Sequence, residues 1–235
     1  MRNILLTGVS GGLGRYLARA YLKEGNRVFG FDIKKRDICE FVDDISRNNN
    51  FYFFYMDVGD SESVKKNIKI LEQCTDKLDM IINCSGILPA NSEKLLEEFE
   101  IDDSIQVFNV NALGPLRVVK AAMPLLKKGR EKLIVNISSE AGSMQSHADY
   151  INRYDYCMSK AALNIQSIIL QRYLRPQGIK VFLIHPGWMR TEMGGEEAPL
   201  LPQEAAECIK ALVEKRKKLE KDIVLIDYND TIRPW

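Results

Sequence analysis

Three residue types in one stretch of the chain have the makings of proton chemistry at a carbon–oxygen bond. Lys160 follows Tyr156 by four positions. On a helix that is one turn, so the two side chains share a face. A tyrosine ordinarily holds its proton until about pH 10. A neighbouring ammonium stabilises the phenolate and lowers that value, which suits general acid or base work on an alcohol or carbonyl oxygen. Ser139 follows the apolar run Leu133-Ile134-Val135-Asn136-Ile137. A hydroxyl at the end of a strand there can hold a substrate oxygen and stabilise developing negative charge. Taken singly, each residue also has a plain structural use: Tyr156 as a packed aromatic, Lys160 as a surface charge, Ser139 as a strand-end cap.

A second group suits a phosphate ligand. The segment Thr7-Gly8-Val9-Ser10-Gly11-Gly12-Leu13-Gly14 lies between an apolar run and a stretch with helical spacing. Glycines at 8, 12 and 14 permit a tight turn, a close approach of backbone to pyrophosphate, and close packing of helix on strand. The free N–H groups and dipole of the following helix favour the anion. No Gly-Lys-Ser/Thr follows, so a nucleoside-triphosphate loop is not supported. Asp32 ends the next apolar run, 18 positions after Gly14. A carboxylate there accepts hydrogen bonds from the adenosine ribose and repels a 2′-phosphate, which favours NAD over NADP. Lys34, Lys35 and Arg36 stand close by and leave NADP open as the alternative.

These residues need a frame. Short apolar runs suited to buried strands fall at about 3–7, 27–32, 51–56, 79–83, 132–137, 179–184 and 223–226. Helical spacing lies between most of them, with Leu13, Leu17, Ala20 and Tyr21 on one face and Val64, Ile68 and Leu71 on another. Val118, Ala122 and Leu125 make a third, and Leu163, Ile165, Ile169 and Leu170 a fourth. The alternation predicts an α/β protein: a single-domain Rossmann-type, doubly wound parallel sheet of about seven strands with helices on both faces, spanning 1–235. Two longer irregular segments, about 140–155 and 187–202, have the length of functional loops.

Composition narrows the class. The chain has 235 residues, 46% of them apolar, and a formal net charge of +1. That balance gives no reason to expect nucleic acid or an anionic membrane as partner. The basic run Lys215-Arg216-Lys217-Lys218 is read as a solvated helix face. Five cysteines without a Cys-x-x-Cys spacing and only two histidines argue against a disulfide framework and against a metal site. No apolar run approaches the roughly 20 residues of a membrane span. The N-terminus lacks a signal-peptide core, so a cytoplasmic protein is expected.

The motifs taken in order resemble the short-chain dehydrogenase/reductase family, and the match extends over essentially the whole chain. Thr7-Gly-x-x-x-Gly-x-Gly14 resembles its cofactor signature. Asn83-Cys84-Ser85-Gly86 stands where the family usually has Asn-Asn-Ala-Gly, and Tyr156-Cys-Met-Ser-Lys160 gives Tyr-x-x-x-Lys. Pro186-Gly187-Trp188-Met189-Arg190-Thr191 gives Pro-Gly-x-x-x-Thr. Gly142-Ser143-Met144, Tyr154-Asp155-Tyr156, His185 to Trp188 and the ending Asp227-Tyr228 to Pro234-Trp235 resemble carbonyl reductases of the sniffer and C-factor type. Gly11 occupies a place that often carries Arg or Lys in NADP-dependent members, a second point toward NAD. Ser139 precedes Tyr156 by 17 positions, more than is common in the family, which enlarges the loop over the site.

The resemblance implies a hydride-transferring oxidoreductase acting on a small carbonyl or alcohol. It makes Tyr156 the acid/base and gives Lys160 a hold on the nicotinamide ribose. Ser139 holds the substrate oxygen, and Asn111 fixes a water in a proton relay. The implied cofactor contacts are Gly8, Ser10, Gly12, Leu13, Gly14, Asp32, Ile33, Asp57, Val58, Asn83, Ser85, Gly86, Tyr156, Lys160, Pro186, Gly187 and Thr191. Met144, Tyr150, Trp188 and Met193 are candidate substrate walls, and His147 and His185 are read as structural. Self-association as a homodimer or homotetramer is implied as well. The alternative on the same fold is a dinucleotide-sensing or scaffold protein without turnover.

Overall fold

In the computed structural model, residues 1–33, 48–146, 150–218 and 223–235 are described. Lys34, Lys35, Arg36 and His147 lie outside them. The strands are β1 (Asn3–Thr7), β2 (Arg27–Asp32), β3 (Phe51–Tyr55), β4 (Met80–Asn83), β5 (Leu133–Ile137), β6 (Lys180–His185), β7 (Leu225–Asp227) and β8 (Ile232–Arg233). They form one sheet in the order β3-β2-β1-β4-β5-β6-β7-β8. The pairs from β3 through β7 are parallel, and only β7–β8 is antiparallel. The expected seven strands are all present; the eighth is a two-residue edge strand, too short to leave a periodic signal. Every residue of β1, β4 and β5 is buried, as strands covered on both faces require.

The helices are α1 (Gly12–Lys23), α2 (Ser61–Cys74), α3 (Ser104–Phe108), α4 (Gly114–Lys127), α5 (Tyr154–Leu174) and α6 (Pro202–Arg216). Each start has a local cause. Asp60 caps α2 by accepting from the Glu62 N–H at 2.9 Å, and Pro202 opens α6 with a preset φ. Helices α1 and α6 pack on one face of the sheet, where Leu13, Leu17, Tyr21, Ile209 and Leu212 join Leu6, Val135 and Ile184. Helices α2 and α4 cover the other, where Ile68, Leu71, Val118 and Leu125 join Leu5, Phe29 and Ile81.

Helix α5 departs from its expected face. Ile165 and Ile169 are exposed, and the buried stripe is instead Tyr156, Ser159, Lys160, Leu163, Asn164, Ser167, Gln171 and Leu174. Its polar members bond inward. Asn164 accepts from Ser138 Oγ at 2.6 Å, and Ser167 Oγ accepts from Asn136 Nδ2 at 2.9 Å. The basic run at the end of α6 is also more than a solvated face. Arg216 pairs with Asp230 at 2.5 Å, and Lys217 with Glu131 at 3.0 Å and Glu214 at 2.6 Å.

Candidate active site

The chain reverses direction across the sheet between β1 and β4, which are neighbours in the sheet but not in sequence. Open α/β sheets bind ligands at such a switch point, beyond the carboxyl ends of the strands. The loops after β1 and β4 meet there. Gly8 takes φ +71°, and its N–H donates to the Phe31 carbonyl at 2.8 Å. A Cβ on Gly8 would lie 2.9 Å from the Ser85 nitrogen. Thr7 Oγ1 accepts from the Cys84 and Ser85 amides at 3.1 and 3.2 Å, which fastens the two loops together.

The loop fits a dinucleotide. Helix α1 has Gly11 as its N-cap, no side-chain cap and no acidic residue in the first turn, so its opening N–H groups are left to meet an anion. A Cβ on Gly14 would lie 2.0 Å from the Gly8 carbonyl oxygen, and one on Gly12 would lie 2.4 Å from the Thr191 methyl. Close packing at Gly12 thus joins the loops after β1 and β6, and that at Gly14 seats α1 on the turn after β1. Asp32 lies at the end of β2, and its carboxylate accepts from the Ser10 amide at 2.9 Å. Ile33 beside it is exposed.

The other expected contacts divide. Gly86 faces two of the proton-handling candidates: a Cβ there would lie 3.5 Å from Asn111 Oδ1 and 3.7 Å from Lys160 Nζ. Asn83 donates to Asn136 at 2.8 Å and keeps a buried amide oxygen without a partner. Leu13 and Val58 bury their side chains in the two cores, and the Asp57 carboxylate accepts from the Gly59 amide at 2.7 Å. Leu13 and Val58 therefore offer a ligand chiefly backbone. Pro186 is buried, and Gly187 holds φ +83° against Leu200 and Tyr228.

The four proton-handling candidates come together. Tyr156 and Lys160 are buried on α5, with the ammonium 5.7 Å from the centre of the phenol ring. Lys160 Nζ donates to the Ile137 carbonyl at the end of β5, at 3.1 Å. Ser139 follows that strand, and its hydroxyl accepts from the Ala141 amide at 3.1 Å and is hydrogen-bonded to Tyr156. Asn111 is buried in a segment of widened, π-type turns (Asn109–Leu113) between α3 and α4. It accepts from the Ile87 amide at 2.8 Å and donates to the Ile87 carbonyl at 2.9 Å and to Ser159 Oγ at 3.1 Å.

The electrostatics correct one expectation. Burial pushes the Tyr156 phenol up to about 12, with the Ser139 hydrogen bond pulling the other way. The depression expected from Lys160 is not seen: the influences that lower the phenol are the Ser139 hydrogen bond and Arg153, and burial outweighs both. Burial also pushes Lys160 down to about 8, partly offset by Cys84, and raises the Cys84 thiol to about 12. At neutral pH the phenol holds its proton and Lys160 is largely an ammonium.

Met144, Tyr150, Trp188 and Met193 are exposed, and Trp188 donates to the Gly194 carbonyl at 2.7 Å. His185 is buried and accepts from the Glu140 amide at 3.2 Å, a structural use. Sequence reasoning assigned no role to Ser92, Asp155 or Ser159. A signal was present beside Ser159, where Lys160, Asn164, Ser167 and Gln171 make a polar stripe at intervals of four, three and four.

Comparison with known proteins agrees with this geometry. A family model described as short chain dehydrogenase matches residues 2–200. The C-signal protein of Myxococcus xanthus is 34% identical over 162 residues, which are 69% of this chain and 95% of that one. The carbonyl reductase Sniffer of D. melanogaster has a TM-score of 0.90 at 28% identity and covers 100% of both chains. The NADPH-bound carbonyl reductase from chicken fatty liver has a TM-score of 0.87 at 25% identity, covering 100% of this chain and 99% of that one. With the glycine cradle at the switch point and this agreement over the whole fold, the chain belongs to the short chain dehydrogenase family and is an oxidoreductase that works with a nicotinamide cofactor.

Proposed function

We propose that this enzyme reduces a small carbonyl compound, or oxidises the matching alcohol, with Tyr156 as general acid/base. The observation that carries the reading is the meeting of Tyr156, Lys160, Ser139 and Asn111 beside the glycine cradle. The nicotinamide, when bound, supplies or takes the hydride. Ser139 holds the carbonyl oxygen, and the phenol of Tyr156 gives that oxygen its proton as negative charge develops. The high proton affinity of the buried phenol keeps it protonated at neutral pH, the state from which it can give a proton to the substrate oxygen. Lys160 stands close enough to stabilise the phenolate left behind. Asn111, held to Ile87 through both of that residue's backbone groups, is placed to keep a proton path toward Lys160 in register.

The cofactor residues are taken to be those named from the sequence, with Asp32 favouring NAD. The NADPH bound to the chicken reductase keeps NADP as the rival. We read residues 1–235 as a single cofactor-binding and catalytic domain of a cytoplasmic enzyme that self-associates. Among the described residues, no helix is long and apolar enough to cross a membrane. A thermal-shift titration with NAD, NADH, NADP and NADPH tests the cofactor. Ligand at 100 times its dissociation constant stabilises by about 2.7 kcal/mol. A response to NADP(H) alone overturns the Asp32 argument. Tyr156→Phe tests the chemistry: turnover is lost while cofactor binding is kept, and wild-type turnover would remove Tyr156 from its role.

A further inference from the structure

Asp155 is a fully buried carboxylate that the proton chemistry above does not use. It immediately precedes Tyr156 in the first turn of α5, where backbone N–H groups have no intrahelical acceptor. Its Oδ1 accepts the Tyr156 amide at 2.7 Å, and its Oδ2 accepts the hydroxyl of Ser92 at 2.8 Å. Ser92 is itself fully buried, in the short turn Ala90–Glu93 that follows the loop after β4. The same turn grips the start of α5 at further points. The Ser92 carbonyl accepts the Arg153 amide at 2.7 Å, Glu93 pairs with the Arg153 guanidinium at 2.5 Å, and the Glu93 carbonyl accepts Asn152 Nδ2 at 3.0 Å. Arg153 takes φ +63°, a left-handed conformation that a side-chain-bearing residue adopts only when its surroundings enforce it.

The circuit closes on the other side of the tyrosine. The Tyr156 carbonyl accepts Ser159 Oγ at 2.7 Å, Ser159 Oγ accepts Asn111 at 3.1 Å, and Asn111 holds Ile87 through both of its backbone groups. Ile87 leads back to Ser92 along the chain. The backbone of Tyr156 is therefore fixed at its N–H from one end of this loop and at its C=O from the other.

We propose that Asp155 is a positioning residue, which, clasped by Ser92, sets the place of the Tyr156 phenol relative to Ser139 and Lys160. The inference rests on the acid/base reading of Tyr156. An error of about 1 Å in a reacting group costs on the order of 100-fold in rate. Loosening the first turn of α5 therefore reduces kcat more than it affects binding.

The test uses full-length Ser92→Ala, Asp155→Ala and Asp155→Asn, with 4-nitrobenzaldehyde as carbonyl probe and NADH and NADPH as reductants. Amide hydrogen exchange by NMR gives a readout that needs no turnover. In Asp155→Ala the Tyr156 amide exchanges at least about 10-fold faster, while β5 amides keep their protection. Its kcat falls about 10- to 100-fold, with KM and cofactor dissociation constants within about 2-fold of wild type. Asp155→Asn keeps a carbonyl acceptor and recovers most of kcat. Ser92→Ala lowers kcat in the same direction and carries the test if Asp155→Ala does not fold. Unchanged protection of the Tyr156 amide in Asp155→Ala overturns the clasp. So does a parallel loss of kcat, cofactor affinity and melting temperature that Asn does not recover. If Tyr156→Phe keeps full turnover, the acid/base reading has failed; if Tyr156→Phe is inactive while Asp155→Ala keeps wild-type kcat, the clasp has failed.

Discussion

Replacing Lys160 with methionine should stabilise the protein without cofactor at neutral pH and destroy its activity. Lys160 is buried, and its proton affinity falls from an ordinary 10.5 to about 8. At about 1.4 kcal/mol per tenfold change in affinity, keeping the ammonium costs the folded state about 3 kcal/mol. Methionine is of similar length and has no charge, but it leaves the Ile137 carbonyl without its donor, a loss of about 1 kcal/mol. The expected gain at pH 7.5 is therefore about 2 kcal/mol, or about 4–8 °C in melting temperature for a chain of this size.

The pH dependence gives the sharper check. Folded Lys160 releases its proton near pH 8 and unfolded lysine near 10.5. Between those values the unfolded chain binds more protons, so wild-type stability climbs with pH, and the variant lacks that climb. Its advantage is largest below pH 8 and becomes a deficit of about 1 kcal/mol by pH 10.5. The Cys84 thiol and the Tyr156 phenol, both raised to about 12 by burial, oppose that climb at higher pH. Both groups are present in each protein, so the difference between the two keeps only Lys160 and its coupling to Cys84. Urea unfolding of both proteins from pH 7.5 to 10.5 measures it. A difference that stays flat with pH, or a variant less stable at pH 7.5, would refute the burial argument.

Other consequences follow from the cradle. Gly14→Ala sets a Cβ 2.0 Å from the Gly8 carbonyl oxygen, with backbone on the opposing side. It should destabilise by about 3 kcal/mol and weaken NAD(H) binding, read by urea unfolding and by cofactor fluorescence. Gly12→Ala meets the Thr191 methyl at 2.4 Å and the Thr191 Cβ at 2.9 Å, so adding Thr191→Ser, which removes the closer contact, should recover part of its lost cofactor affinity; no recovery would place the clash elsewhere. Asp32→Ala should narrow the preference between NADH and NADPH in steady-state kinetics. Asp32→Asn should preserve the Ser10 contact, and an unchanged ratio in both variants would take Asp32 out of cofactor choice.

Much of the fold was legible because its signals are local. Buried parallel strands such as Ile4-Leu5-Leu6 read as continuous apolar runs, and the glycines at 8, 12 and 14 carry their reason in the turn they form. Helix α5 was harder. Its apolar residues at 165 and 169 are exposed, and the sheet-facing stripe is partly polar because Ser138, Asn136 and the Ile137 carbonyl supply partners across the gap. Periodicity of hydrophobicity has no means of anticipating a buried face satisfied by hydrogen bonds.

The sequence by itself determined the alternating architecture, the place of the phosphate cradle, and the order of Asn111, Ser139, Tyr156 and Lys160, since each depends on residue type and short spacing. Only the tertiary structure decided how those groups behave. Burial, a property of the packed chain, raises the Tyr156 phenol where the lysine spacing alone predicted a depression. The contact of Thr191 with Gly12 and the clasp of Ser92 on Asp155 join segments 179 and 63 positions apart. Such contacts have no local signature, because the residues become neighbours only when the sheet brings the ends of its strands together.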